Sequence, residues 1–93
     1  MNELLNRVGV LREAEDTING PRQVSYGDPI PHLTRIGKVW GVLLGMDYPI
    51  PPAKVALMMV GLKTVREAHR HSRDNLVDIA GYTALVGRAV GEP

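Results

Sequence analysis

The sequence has no cysteine, which excludes zinc-thiolate sites, disulfide staples and cysteine nucleophiles. It has no phenylalanine and a single tryptophan, although 44% of its residues are hydrophobic. That favours an aliphatic helical core over a sheet. No apolar run reaches the roughly 20 residues that span a bilayer as a helix. The N-terminus mixes Glu3 and Arg7 into its apolar residues and shows no signal-peptide pattern. Charge of one sign is also lacking. Eleven Lys and Arg stand against ten Asp and Glu, net +1, too balanced for phosphate-backbone binding as the main task. No Gly-x-Ser-x-Gly occurs, so Ser-His-Asp catalysis has no motif support. These absences point to a soluble intracellular protein without membrane insertion.

What is present is 93 residues, the length of one small domain. Apolar spacing and stop signals predict an all-α fold. It is a four-helix, bundle-like domain with helices at about 3–16, 29–45, 52–70 and 74–90, a loop at 17–28 and a proline-rich connector at 46–51. In the first helix Asn2 is the expected cap, and Leu4, Leu5, Val8 and Leu11 trace the apolar stripe. Glu13, Glu15 and Asp16 cluster at its C-terminal end, where the helix dipole disfavours negative charge. A basic neighbour or a cation is expected there, or a solvated acidic end.

Asn19-Gly20-Pro21 stops this helix, and the loop that follows carries Arg22 and Tyr26. Asp28 caps the second helix, with Pro29 and Pro31 in its first turn, where no intrahelical donor is lost. Leu33, Ile36, Val39, Trp40, Leu43 and Leu44 form a broad apolar face, with Trp40 as a core anchor, and Gly45 ends the helix. In the connector, Tyr48 and Ile50 sit between prolines that stiffen the chain. The third helix has a predicted buried stripe of Val55, Met58, Met59, Leu62 and Val65. Lys63 interrupts it one turn before Glu67, either as an i, i+4 ion pair or as a cation pointing into a cleft. Residues 55, 56, 58, 59, 60 and 62 are more apolar surface than one stripe absorbs in so small a domain, and a homodimer is expected. Gly-Glu-Pro at the chain end is expected to fray.

The last helix carries the most suggestive row. Asp74, Asp78 and Tyr82 fall at i, i+4 and i+8 on one face, with Leu76, Ile79 and Ala80 on another. Two carboxylates and a phenol in a row suit a divalent cation or a polar interface. The plainer account makes Asp74 the helix cap and Asp78 a complement to the positive helix end. His69 and His71 do not share a helix face, so they do not pair on a metal.

Several stretches occur together here: Arg22, Tyr26-Gly27-Asp28-Pro29, Trp40, Val55-Ala56-Leu57-Met58-Met59 with Leu62-Lys63, and the run from Asp74 to Tyr82. In this order they resemble a family of small tailed-phage proteins, over about residues 22–85. That family is in turn similar, more distantly, to the all-α MazG-like nucleoside triphosphate pyrophosphatases. The resemblance implies magnesium held by acidic residues on facing helices, typically Glu-x-x-Glu on one and Glu-x-x-Asp on the next. It implies cleavage between the α and β phosphates and residence in the bacterial host cytoplasm. Asn75-x-x-Asp78 matches the second half in spacing, with Asn in place of Glu. The first half departs: Ala53 and Lys54 stand where relatives commonly carry acids. Glu13-x-x-Asp16 on the first helix could substitute only if packing brings it close.

Two functions follow. In the first, the chain is a catalytically degenerate phage protein without cofactor. It acts by protein–protein interaction on a host protein, with Tyr48 and Ile50 on the contact surface. In the second, Asp74, Asp78, Glu13 and Asp16 hold Mg²⁺. Lys63, Arg66 or Arg22 then contact phosphate, and Tyr26 or Tyr82 contacts the nucleotide. The incomplete acid set places the first ahead. Nucleic acid is not an expected partner, because the basic residues ending the third helix are interleaved with acids and His rather than aromatics.

Overall fold

A computed structural model describes residues 8–20 and 28–93. Among the described residues the chain forms four helices: α1 (Val10–Asn19), α2 (Pro29–Leu43), α3 (Pro52–His69) and α4 (Arg73–Ala89). No strand occurs among the described residues, and the fold is all-α. No helix among them is long and apolar enough to cross a membrane.

The helix ends have identifiable chemistry. The Asp28 carboxylate accepts from the Ile30 amide at 2.9 Å and opens α2, with Pro29 in its first turn. Two helices end on a glycine in the left-handed region. Gly45 (φ 69°) follows α2 and Gly91 (φ 87°) follows α4. In each case two amides fold back onto orphan carbonyls. Met46 and Gly45 donate to Gly41 and Val42; Glu92 and Gly91 donate to Gly87 and Arg88. Gly91 and Glu92 of the Gly-Glu-Pro end are thus hydrogen-bonded to the last turn of α4, although all three residues are exposed. Ser72, not Asp74, caps α4: its hydroxyl accepts from the Asp74 amide at 3.2 Å.

α3 and α4 pack most closely and run antiparallel, joined by a short turn. α1 lies along α4 in the same direction, tied at both ends. Arg73 Nε donates to Glu13 Oε2 at 3.0 Å and Arg73 Nη2 to the Val8 carbonyl at 2.8 Å. Arg88 Nη2 donates to Asn19 Oδ1 at 2.6 Å. The first helix departs from its predicted bounds. Val8 and Gly9 precede it, and it continues past Asp16 to Asn19, with Gly20 after its last turn. Glu13 consequently lies in the first turn, where negative charge suits the dipole. The buried residues are Ala14 and Ile18; Val8 and Leu11 are exposed. Asn2, Leu4 and Leu5 lie outside the described residues.

The core joins Ile18, Leu33, Ile50, Val55, Ala56 and Leu85, with Trp40 and Met46 packed against it. Its construction depends on two glycines. Gly37 and Gly41 lie four apart on the inner face of α2, and the proline connector folds back against them. The Ile50 amide donates to the Gly37 carbonyl at 3.1 Å. A Cβ on Gly37 would fall 1.9 Å from the Ile50 carbonyl oxygen, and one on Gly41 would fall 2.9 Å from that of Tyr48. The connector is thus built in as backbone on backbone, and Ile50 is drawn into the core. That overturns its assignment to a contact surface, while Tyr48 remains exposed.

The broad apolar faces are also corrected. On α2 only Leu33 of the six predicted residues is buried; Val39, Leu43 and Leu44 are exposed. On α3 Val55 and Ala56 are buried, but Met58, Leu62 and Val65 face solvent. The α4 helix and, at the start of α3, the α2 helix cover its inner side, and no described element covers the outer side.

Gly37→Ala therefore pits helix propensity against a backbone clash. The substitution is expected to destabilise by about 1–3 kcal/mol, the range for overpacking, despite a propensity gain near 1 kcal/mol. Gly87→Ala, where a Cβ meets Glu92 Cβ at an ordinary 3.7 Å, should stabilise by about 0.5–1 kcal/mol. Urea denaturation of both variants checks the pair.

Candidate functional site

The four helices enclose an open groove of about 830 Å³. Glu13 and Thr17 reach it from α1, His32 and Ile36 from α2, Met59 and Lys63 from α3, and Asp74, Asp78 and Tyr82 from α4. The predicted row on α4 therefore does face a common space, opposite the Glu13 of another helix. His32 and Thr17 also line it and were given no role from the sequence, as does Met59, which was placed in the buried stripe of the third helix. His32 sits on the turn capped by Asp28, and its position was legible only once α2 was placed across α4.

Lys63 is the charged centre. Its Nζ lies 3.1 Å from Asp78 Oδ2. The Lys63 side chain is only 16% exposed and that of Asp78 36%. An ammonium covered to this degree requires a counter-charge, and Asp78 supplies it. The alternative i, i+4 pair with Glu67 is corrected, because Glu67 is engaged elsewhere. Its Oε1 accepts from the Ser72 amide at 3.0 Å and from Asn75 Nδ2 at 3.4 Å, while Oε2 lies 2.6 Å from His71 Nδ1. Asn75, buried, also donates to the Arg70 carbonyl at 3.3 Å. Asn75 is committed to the α3–α4 turn and faces away from the groove, so the Asn75-x-x-Asp78 spacing does not bring two ligands together. The donation from the Ser72 amide, then the contact with His71, hold the Glu67 carboxyl below its ordinary value of 4.5.

The remaining candidates divide. Glu13 is paired with Arg73 across α1 and α4. Among the described residues no cation pairs with Asp74, which is exposed at the groove mouth. Asp16 forms an exposed pair with Arg12 at 3.6 Å and borders a separate depression beside Glu15 and Asn19. Glu13 and Thr17 share the groove face of α1, and Asp16 is turned off it. Arg66 is exposed and does not line the groove. Arg22 and Tyr26 lie outside the described residues. Among those described, no three acidic or imidazole side chains converge as a metal site.

The chain belongs to the family described as a domain of unknown function, DUF6378, whose model matches residues 9–90. It is 37% identical over 81 residues to the Gene 55 protein of Mycobacterium phage L5, a match covering 85% of this chain and 51% of that protein. It is 32% identical over 85 residues to the Gene 55 protein of Mycobacterium phage D29, covering 90% of this chain and 55% of that one. The chain thus spans about half the length of the curated relatives it matches. No solved structure matches it.

The lowered Glu67 pKa has a pH consequence with a definite sign. A carboxyl whose folded pKa lies below its unfolded value contributes stability that is full above the unfolded pKa. That contribution is lost as pH falls through the folded value. The melting temperature should therefore drop below about pH 4.5, and Glu67→Gln should flatten that limb while lowering the melting temperature at neutral pH. Melting curves of both proteins between about pH 3 and 7 check it.

Proposed function

We propose that this member of the DUF6378 family is a phage-encoded, non-catalytic helical protein. It works as a homodimer in the bacterial host cytoplasm by binding a host protein. The observation that carries the non-catalytic part is the Lys63–Asp78 pair. The acid best placed in the groove is already neutralised by a cation of the protein's own, and Glu13 is likewise taken by Arg73. Ala53 and Lys54, where the resemblance called for further acids, do not line the groove. For the binding part, support comes from the end of α2. Val42, Leu43 and Leu44 stand exposed there, and so does Tyr48 on the stiff connector. Leu43 is 76% exposed and Tyr48 67%, an apolar group with one aromatic of the kind that anchors protein contacts.

A second reading has one observation in its favour. The groove gathers Asp74, Asp78, Glu13, Lys63 and Tyr82 from three helices. In a magnesium-dependent nucleotide pyrophosphatase Asp74 or Asp78 would hold the ion together with substrate phosphate, since no three acids converge here among the described residues; Lys63 would meet a phosphate and Tyr82 the base. Such a site would be smaller in acids than the MazG-like pattern.

One set of melts separates the readings. Wild type and Asp78→Asn are heated with and without millimolar magnesium, and with magnesium plus nucleoside triphosphates. Asp78→Asn is expected to lose about 1 kcal/mol, between an exposed and a buried ion pair, with no response to magnesium or nucleotide. A clear rise in the wild-type melting temperature that the mutant lacks, accompanied by pyrophosphate release, would replace this proposal with the enzyme. For the host contact, wild-type protein on a resin should retain a host protein that the double variant Leu43→Glu, Tyr48→Glu loses. Equal retention by both would remove the α2 tip from the interface.

A further inference from the structure

The outer face of α3 has the polarity of an interior. Between Val55 and Val65 the helix contains one charged residue, Lys63, and that one points inward to Asp78. The opposite side presents Leu57, Met58, Gly61, Leu62, Val65 and Ala68, all exposed, with Val65 at 71%. A surface helix of a monomer carries its charges outward and its apolar stripe inward. Here the charge is inside and the solvent side is bare of it.

We infer that a second copy of this chain covers this face, with the two α3 helices crossing antiparallel at Gly61. The inference rests on the proposed homodimer for its occupant and on nothing in the proposed host contact, which lies on the α2 tip. Three observations single out a second copy. A two-fold interface sets a patch against its own copy, so a charge near the axis meets its like; around Gly61 this face has none, the nearest outward charges being Lys54 and Arg66. Gly61 is central along the patch and has nothing within 4 Å of its Cβ position, which leaves room for a partner backbone to approach. The exposed apolar residues offer on the order of 500 Å² per copy, so pairing buries at most about 1,000 Å², the lower end for a specific interface. Direction follows from the helix dipoles, which an antiparallel pair opposes and a parallel pair sets like end to like end.

Sedimentation across about 1–200 μM, a range that brackets affinities typical of modest interfaces, tests the pairing with the whole chain. Wild type is expected to pass from monomer to dimer. Val65→Glu should raise the dissociation constant at least a hundredfold, because the carboxylate would be buried unpaired. Since Val65 is exposed in the single chain, its helical content should match wild type by circular dichroism. Gly61→Cys, in a chain with no other cysteine, should oxidise to a covalent dimer, since the crossing brings the two Cα atoms within disulfide reach. Wild type that stays monomeric throughout overturns the homodimer itself. A dimer that survives Val65→Glu overturns this face while leaving the homodimer standing. An intact dimer in which the Gly61→Cys variant does not cross-link overturns the crossing point.

Discussion

The contact between the Gly37 backbone and the Ile50 carbonyl governs how the chain is assembled. A connector with prolines at 49, 51 and 52 cannot form a helix and has few amides to donate. It lies down only where another backbone accepts it. Gly37 and Gly41 provide that track, one helical turn apart on the inner face of α2. The Ile50 amide, one of the few available, is used on the Gly37 carbonyl. The connector's path brings Ile50 into the core and starts α3 beside the middle of α2, where Val55 Cγ2 lies 3.3 Å from the Gly37 Cβ position. The last turns of α2 are left with no helix over them. The exposed apolar tip is thus a consequence of the same contact that builds the core.

A similar economy governs charge. The turn between α3 and α4 leaves backbone amides at Ser72, Asp74 and Asn75 that need acceptors. Glu67 serves Ser72 and also the Asn75 side chain, Ser72 Oγ accepts from Asp74, and the Ser72 carbonyl accepts from the Asn75 amide. With Glu67 occupied, Lys63 has Asp78 as its partner across the helix pair, and the pair forms under partial cover. That choice turns Lys63, the one charge in the middle of α3, inward. It leaves the outer side apolar and sets the electrostatics of the groove in one step.

Helix content, the Asp28 cap and the glycine stop after α2 were legible in the sequence, because each depends on residues a few positions apart. The row of Asp74, Asp78 and Tyr82 was legible for the same reason, and it does line a common groove. What escaped was anything set by packing between elements. An apolar stripe predicts a buried face only if another element arrives to cover it, and for Met58, Leu62 and Val65 none does within the described chain. Ile50 looked exposed because prolines mark surface chain; the Gly37-x-x-x-Gly41 spacing was the available signal that backbone would pack there. The acidic end of α1 was read as a terminus, yet the chain continued through Thr17, whose hydroxyl donates to the Glu13 carbonyl, to the buried Ile18. The Lys63–Glu67 pair failed on competition: a local partner is only a partner if nothing better holds it.

The Lys63–Asp78 pair also constrains what any ligand of the groove would have to do. Magnesium keeps several waters and takes one or two carboxylates, with the rest of its shell often supplied by substrate phosphate. An ion arriving alone at Asp78 would compete with Lys63 and leave its covered ammonium without a counter-charge, a costly state. An ion arriving with a triphosphate would not, because a phosphate oxygen could take the place of Asp78 beside Nζ. Metal alone and metal with nucleotide are therefore different experiments on this groove. Under the interaction reading, by contrast, neither should disturb the pair, because the surfaces proposed to bind protein lie on the α2 tip and on the outside of α3. The same ion pair thereby separates a groove that needs a phosphate to open it from one that serves as an internal tie between two helices.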